Sequence, residues 1–134
     1  MEEAFKEHVG WSKYLTSPYF VRASQKLIDK FKDVTVKGVT ISASGFYGPQ
    51  GRVLRLPLAM PDMVAKFESF RYEDYRITNF EMEGSALAGL CAQLGHDAGT
   101  VCCVIANRYA GNSNPDYKKL VRELVKLSLE KLTE

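Results

Sequence analysis

The sequence has little of what would announce a specialised class. Its three cysteines, Cys91, Cys102 and Cys103, are odd in number, stand in apolar surroundings and lack CxxC spacing. That pattern argues against a disulfide framework and predicts reduced core thiols in a cytoplasmic protein. Only two histidines occur, His8 in an opening stretch expected to be mobile and His96 just after a helix-stopping glycine. Neither has partners at metal-ligand spacing, so no catalytic metal is expected. No apolar run approaches the roughly 18 residues of a membrane span. The opening Met1-Glu2-Glu3-Ala4-Phe5-Lys6-Glu7 has neither the basic region nor the apolar stretch of a secretory signal. Charge of neither sign dominates: 18 Lys and Arg stand against 16 Asp and Glu, a net +2. A broad attraction to nucleic acid or to a membrane surface is therefore not expected. Internal repeats, low-complexity tracts and linkers are also lacking, which leaves a small molecule or another copy of the chain as the expected partner.

What is present is enough for one domain, since a chain of 134 residues can bury about two thirds of its unfolded surface. Ser17-Pro18 supplies a cap and a first-turn proline, and Val21, Leu27, Ile28 and Phe31 follow near a 3.6-residue period, predicting a helix over 18–32. The β-branched run from Val34 to Ser44 predicts a buried strand that ends in small residues. Gly45, Gly48, Pro49 and Gly51 make 44–57 a loop. Pro61 opens a helix with Met63, Val64, Phe67 and Phe70 on its apolar side, ending near Tyr72. A short strand over 77–82 and a helix of small and apolar residues over 85–94, stopped by Gly95, come next. The run from Gly99 to Ala106 has the pattern of a central strand covered on both faces. After a turn at 111–115, residues 116–132 place Leu120, Leu124, Leu127 and Leu132 on one side of an amphipathic helix.

Alternating strands and helices predict an α/β domain of three αβα layers with a mixed or largely parallel sheet. Three strands are few, so the sheet is expected to be incomplete or covered by another copy. Ligands of such sheets sit beyond the carboxyl ends of the strands. Those ends are Ser44 to Arg52, Glu81 to Glu83, and Asn107-Arg108, which gather an aromatic ring, an amide, two arginines and two acids.

Phe46-Tyr47-Gly48-Pro49-Gln50-Gly51-Arg52, then Asn79-Phe80-Glu81-Met82-Glu83, then Val104-Ile105-Ala106-Asn107-Arg108 resemble, in order and spacing, the carboxy-terminal half of uridine phosphorylases in the nucleoside phosphorylase superfamily. The similarity runs from about Val36 to Leu132. It implies a phosphorylase/hydrolase-like fold, a homo-oligomer in the complete protein, and reversible phosphorolysis of uridine to uracil and ribose 1-phosphate. Phosphate is then a co-substrate, with no cofactor or metal. By the same resemblance Phe46 stacks on the base, Gln50 and Arg52 bind its polar edge, and Met82 lines the sugar face. Glu83 accepts bonds from ribose hydroxyls, Glu81 supports the base and sugar region, and Arg108 helps shape the base pocket. Arg52 and Glu83 are the residues placed in the catalytic step. An amide and a guanidinium suit a pyrimidine whose bond to ribose leaves negative charge on the base.

Each role has a plainer rival. Acids at a helix start are stabilised by orphan N–H groups and the dipole, which would account for Glu83. Phe46-Tyr47 could pin a surface turn, Gln50 and Arg52 could be solvated, and Arg108 could pair with Glu81. Asn107 separates the uridine enzymes from purine nucleoside phosphorylases and nucleosidases, which resemble this chain but place an aspartate there; an amide cannot donate the proton that a purine needs. Gly84 stands where uridine phosphorylases often have serine, a departure expected to leave more room.

The larger departure is an absence. The family's glycine-rich phosphate loop and phosphate-binding arginines have no counterpart before Phe46, and Arg22 falls within a predicted helix rather than a glycine-rich turn. Residues 1–134 are therefore read as the carboxy-terminal part of one phosphorylase domain without its amino-terminal phosphate-binding half. An excised piece, a truncated gene product and a half that pairs with a separate chain all fit. So do two functions: a uridine phosphorylase whose activity needs the complete assembly, and a non-catalytic nucleoside-binding or oligomerisation fragment.

Overall fold

Phe5 and Val9 stand four residues apart on the opening helix, α1 (Glu2–Val9), and both are buried. The computed structural model describes residues 1–107 and 110–134. In it the opening residues, expected to be mobile, are instead the centre of the core. Phe5 packs within 5.2–5.8 Å, ring centre to ring centre, of Trp11, Phe20, Phe67 and Phe70. Met60, Met63, Phe67 and Phe70, around α3 (Met63–Ser69), complete the buried cluster, with Ile41, Ile77 and Phe80 packed against it. Gly10, at φ 65°, closes α1 in the left-handed conformation that a glycine adopts without strain, so that the Trp11 N–H reaches Lys6 O at 2.9 Å. His8 is fixed as well, its Nε2 lying 3.1 Å from Lys66 O and 3.0 Å from Ser69 Oγ.

The helix predicted over 18–32 forms only as α2 (Gln25–Phe31). Phe20 explains the lost turns: its ring enters the core against Phe5 while its N–H donates to Glu2 Oε1 at 2.8 Å, which holds the segment away from helical geometry. Ser24 then spends its hydroxyl on Asp97. Arg22 accordingly lies outside the helix, bonded to Gln25 at 2.6 Å.

The sheet is mixed, in the order Val39–Ser42 (β1), Tyr75–Glu81 (β3), Arg71–Tyr72 (β2). β1 (Val39–Ser42) is shorter than its β-branched run suggests and pairs in parallel with β3 (Tyr75–Glu81), setting Ile41 beside Phe80 and Ser42 beside Glu81. Gly38 lies so near β3 that an added Cβ would fall 2.9 Å from the Cβ of Thr78. β2 (Arg71–Tyr72) pairs antiparallel with the start of β3 through a tight turn at Glu73, which takes φ 52°. That turn ends the preceding helix at Ser69, three residues short of the predicted Tyr72. The α/β class and the parallel β1–β3 pair thus stand.

α4 (Gly84–Gln93) closes as its glycine predicts, with Gly95 at φ 74° and the His96 N–H on Cys91 O at 2.8 Å. The run Gly99 to Ile105 departs from expectation: it joins no ladder, and most of it is exposed. Only Ala106–Asn107, β4, pairs, with β5 (Asn112–Ser113) in a separate hairpin. The cysteines are likewise not in the core; Cys91 and Cys103 are half-buried and Cys102 is exposed. α5 (Tyr117–Thr133) forms where the amphipathic pattern places it, yet none of its residues is fully buried. Leu124, Leu127 and Leu132 line an open, largely apolar cavity of about 2110 Å³ that also touches α2, β1 and the 54–58 loop. No helix is long and apolar enough to cross a membrane among the described residues.

Candidate functional site

β1 and β3 run parallel and end side by side, so the segments that leave them start from one place. The Ala43 N–H bonds Glu81 O at 2.8 Å just beyond the last ladder pair. From there one chain segment enters the 44–52 loop and the other turns into α4.

The loop is folded on itself. A short 3₁₀ turn at Gly48–Gln50, held by bonds from the N–H groups of Gln50 and Arg52 to Tyr47 O, both 3.0 Å, brings Arg52 back over Phe46. The guanidinium carbon lies 3.6 Å from the Phe46 ring centre, and Nη1 donates to Phe46 O and, at 3.1 Å, to Gln50 Oε1. A planar cation on an aromatic face with two fixed acceptors is held in one orientation. Phe46 itself is half exposed, which leaves ring surface for a ligand. Gln50 is buried, only 4% exposed, and its Oε1 accepts from Arg52.

On the other side, the two acids part company. Glu81 Oε2 accepts the N–H of Glu83 at 2.8 Å and of Gly84 at 2.5 Å, while Oε1 accepts the hydroxyl of Ser42. Ser42 Oγ in turn accepts the N–H of Ser85 at 2.8 Å. The N–H groups of Glu83, Gly84 and Ser85 at the start of α4 are thus met from the sheet. Burial alone would raise the Glu81 pKa, but bonds from Ser42, Glu83, Gly84 and Met82 outweigh it and hold the carboxyl below its ordinary value. Glu83 occupies the N-cap position with its side chain exposed and making no cap bond. Met82 is exposed beside it. The capping role that sequence offers for Glu83 is taken by Glu81.

Gly84 is tight rather than roomy: an added Cβ would fall 2.6 Å from Thr100 Oγ1 and 3.0 Å from Glu81 Oε2. The contact brings the 99–102 segment alongside. Cys102 lies near enough for Asn79 and Glu81 to act on its thiol, whose pKa is raised chiefly by desolvation. Asn107 is exposed in the β4 hairpin, where its Oδ1 accepts the Ala110 N–H at 3.0 Å. Arg108 lies outside the described residues. Among the described residues, no three His, Cys, Asp or Glu side chains gather as a metal site would need. Ser42 is the residue that sequence reasoning does not single out; its only signal is a serine closing the strand before the aromatic loop.

The state of Glu81 gives a pH prediction. A carboxyl lowered in the folded state adds stability that is full above its unfolded value and lost as pH falls through the folded one. The urea midpoint should therefore fall as the pH drops below the ordinary carboxylate range, and Glu81→Gln should flatten that fall. An unchanged slope in the variant would show that the carboxylate does not carry these bonds.

Residues 2–134 match the model of the phosphorylase superfamily. The uridine phosphorylase of Thermococcus kodakarensis is 39% identical over 77 residues, 53% of this chain and 25% of that protein. Uridine phosphorylase A of Schistosoma mansoni is 38% identical over 79 residues, 58% of this chain and 26% of that protein. The matched part thus spans about a quarter of each relative's length. No solved structure matches significantly. With the parallel β1–β3 pair and the family model agreeing over nearly all of its length, the chain belongs to the phosphorylase superfamily.

Proposed function

We propose that this chain carries the base and ribose contacts of a uridine phosphorylase, in which phosphate displaces uracil from the ribose of uridine to give uracil and ribose 1-phosphate. The observation that carries the reading is that the Phe46–Arg52 loop and the Glu81–Glu83 turn both leave the ends of two adjacent parallel strands. Support also comes from the two uridine phosphorylases matched above.

In this reading the pyrimidine lies against the exposed part of the Phe46 ring with its polar edge turned to the Arg52 guanidinium, which is held by Gln50 and meets the negative charge that grows on the departing base. Such a donor lowers the barrier because it acts on charge present only in the transition state. Glu83 takes the ribose hydroxyls, two of which a carboxylate can accept at once. Asn107 supplies no acid, which fits a base that leaves as an anion. Phosphate needs its own oriented cradle, placed in a phosphate-binding half outside residues 1–134 and in a homo-oligomeric assembly.

A second reading has an observation of its own. The open apolar cavity of about 2110 Å³ exceeds the roughly 300–1,000 Å³ of a ligand pocket and is lined by Leu124, Leu127 and Leu132 but not by Phe46 or Glu83, so it suits a packing partner rather than a nucleoside. A chain of this kind would be an oligomerisation or nucleoside-binding fragment without turnover. Phosphate-dependent release of uracil from uridine separates the two: release supports the enzyme, and uridine bound without release supports the binding fragment.

Glu83→Gln tests the ribose side. It is expected to weaken uridine binding roughly tenfold while leaving free uracil binding intact. Equal losses for both ligands would remove Glu83 from the ribose.

A further inference from the structure

We propose that Ser42 is a positioning residue that keeps the Glu83 carboxylate available for ribose, an assignment that rests on the nucleoside reading above. An acid at a helix N-cap ordinarily turns back to accept an N–H of the first turn. Glu83 makes no cap bond, and Ser85, the second-position donor that an N-cap side chain takes, is already met by the Ser42 hydroxyl, while Glu81 accepts the N–H groups of Glu83 and Gly84. Ser42 also donates to Glu81, so one hydroxyl at the end of β1 both fixes the capping carboxylate and satisfies the N–H two residues beyond Glu83.

Removing that hydroxyl orphans the Ser85 N–H, which stands at the second helical position, where an N-cap side chain such as that of Glu83 takes its bond. The carboxylate would then cap its own helix and be lost to the ligand. The effect falls on ribose and spares the base, because the 46–52 loop is held by its own bonds to Tyr47 and Phe46.

Calorimetric titration of the unsubstituted chain with uridine and with uracil sets the reference. If uridine does not bind that chain, the nucleoside reading fails and the role of Ser42 with it. If uridine binds, Ser42→Ala is expected to raise its Kd roughly tenfold and to change the uracil Kd by less than about twofold. Ser42→Cys keeps the volume but bonds weakly; it should follow the alanine variant and covers the case in which that variant does not fold. Ser42→Thr keeps the hydroxyl and should restore uridine binding, whereas a loss as large as that of alanine would assign the effect to packing and overturn the proposal. In a Glu83→Gln background, Ser42→Ala should add almost nothing to the uridine loss, since the two residues act as one unit. Equal losses for both ligands, no loss for either, or full additivity in that background overturns the role of Ser42 and leaves the nucleoside reading standing.

Discussion

Phe5→Ala is expected to destabilise the chain by about 3–5 kcal/mol, a large share of the roughly 5–15 kcal/mol that a whole domain has. The ring is 4% exposed and meets four aromatic neighbours, so its removal leaves a cavity in the only buried cluster among the described residues. Collapse around the void is restricted, because α1 is tied to α3 by Lys66 Nζ on Val9 O at 3.0 Å and by the His8 bonds. Urea unfolding followed by far-ultraviolet circular dichroism reads the loss without relying on the neighbouring Trp11. Tyr14→Ala, at a site 86% exposed, serves as the control and should change stability by no more than about 0.5 kcal/mol. A Phe5→Ala loss no larger than that control would show that α1 does not belong to the core.

Arg52→Ala is expected to lower phosphate-dependent uracil release about a hundredfold or more, or to weaken uracil binding where the chain binds without turnover. Three contacts make the guanidinium a preorganised donor: the Phe46 ring, Phe46 O and Gln50 Oε1. Preorganisation is what lets a donor act on developing charge without first being reoriented. Arg52→Lys retains the charge but neither the planar stack nor the fork, so it should recover little of the rate. Single-turnover rates and uracil affinity, measured side by side, separate a transition-state role from plain binding. Unchanged values in both would take Arg52 out of the site.

The sequence foretells the later part of the fold better than the earlier. α4 and α5 follow from small and apolar residues at helical spacing and from Gly95 at the stop, and β3 from its bounded apolar run. α1 escapes because only Ala4, Phe5 and Val9 break its charged octet, too few to display a period. The stretch 18–24 misleads because local capping signals compete with a tertiary pull on Phe20, and the tertiary contact wins. Gly99 to Ile105 misleads differently: an apolar run shows that burial is favoured but names no ladder partner. In the candidate site the residue types are legible from three spaced motifs. The division between Glu81 and Glu83 is not, since both precede the same helix. What decides it is Ser42, 39 positions upstream, a pairing that only the parallel register creates.

The seating of α1 on α3 also bears on how the chain comes to be folded. His8 and Val9 find their partner at Lys66, 58 and 57 positions later, so α1 is without its packing surface until α3 has also been synthesised. At roughly 5–20 residues per second that wait lasts several seconds, and an eight-residue helix does not persist alone in water. Closing so long a loop must precede any gain from the aromatic cluster, which makes the nucleus non-local and its formation slow for a chain of this size. During that interval Phe5, Val9 and the phenylalanines of α3 are the surfaces a chaperone would meet.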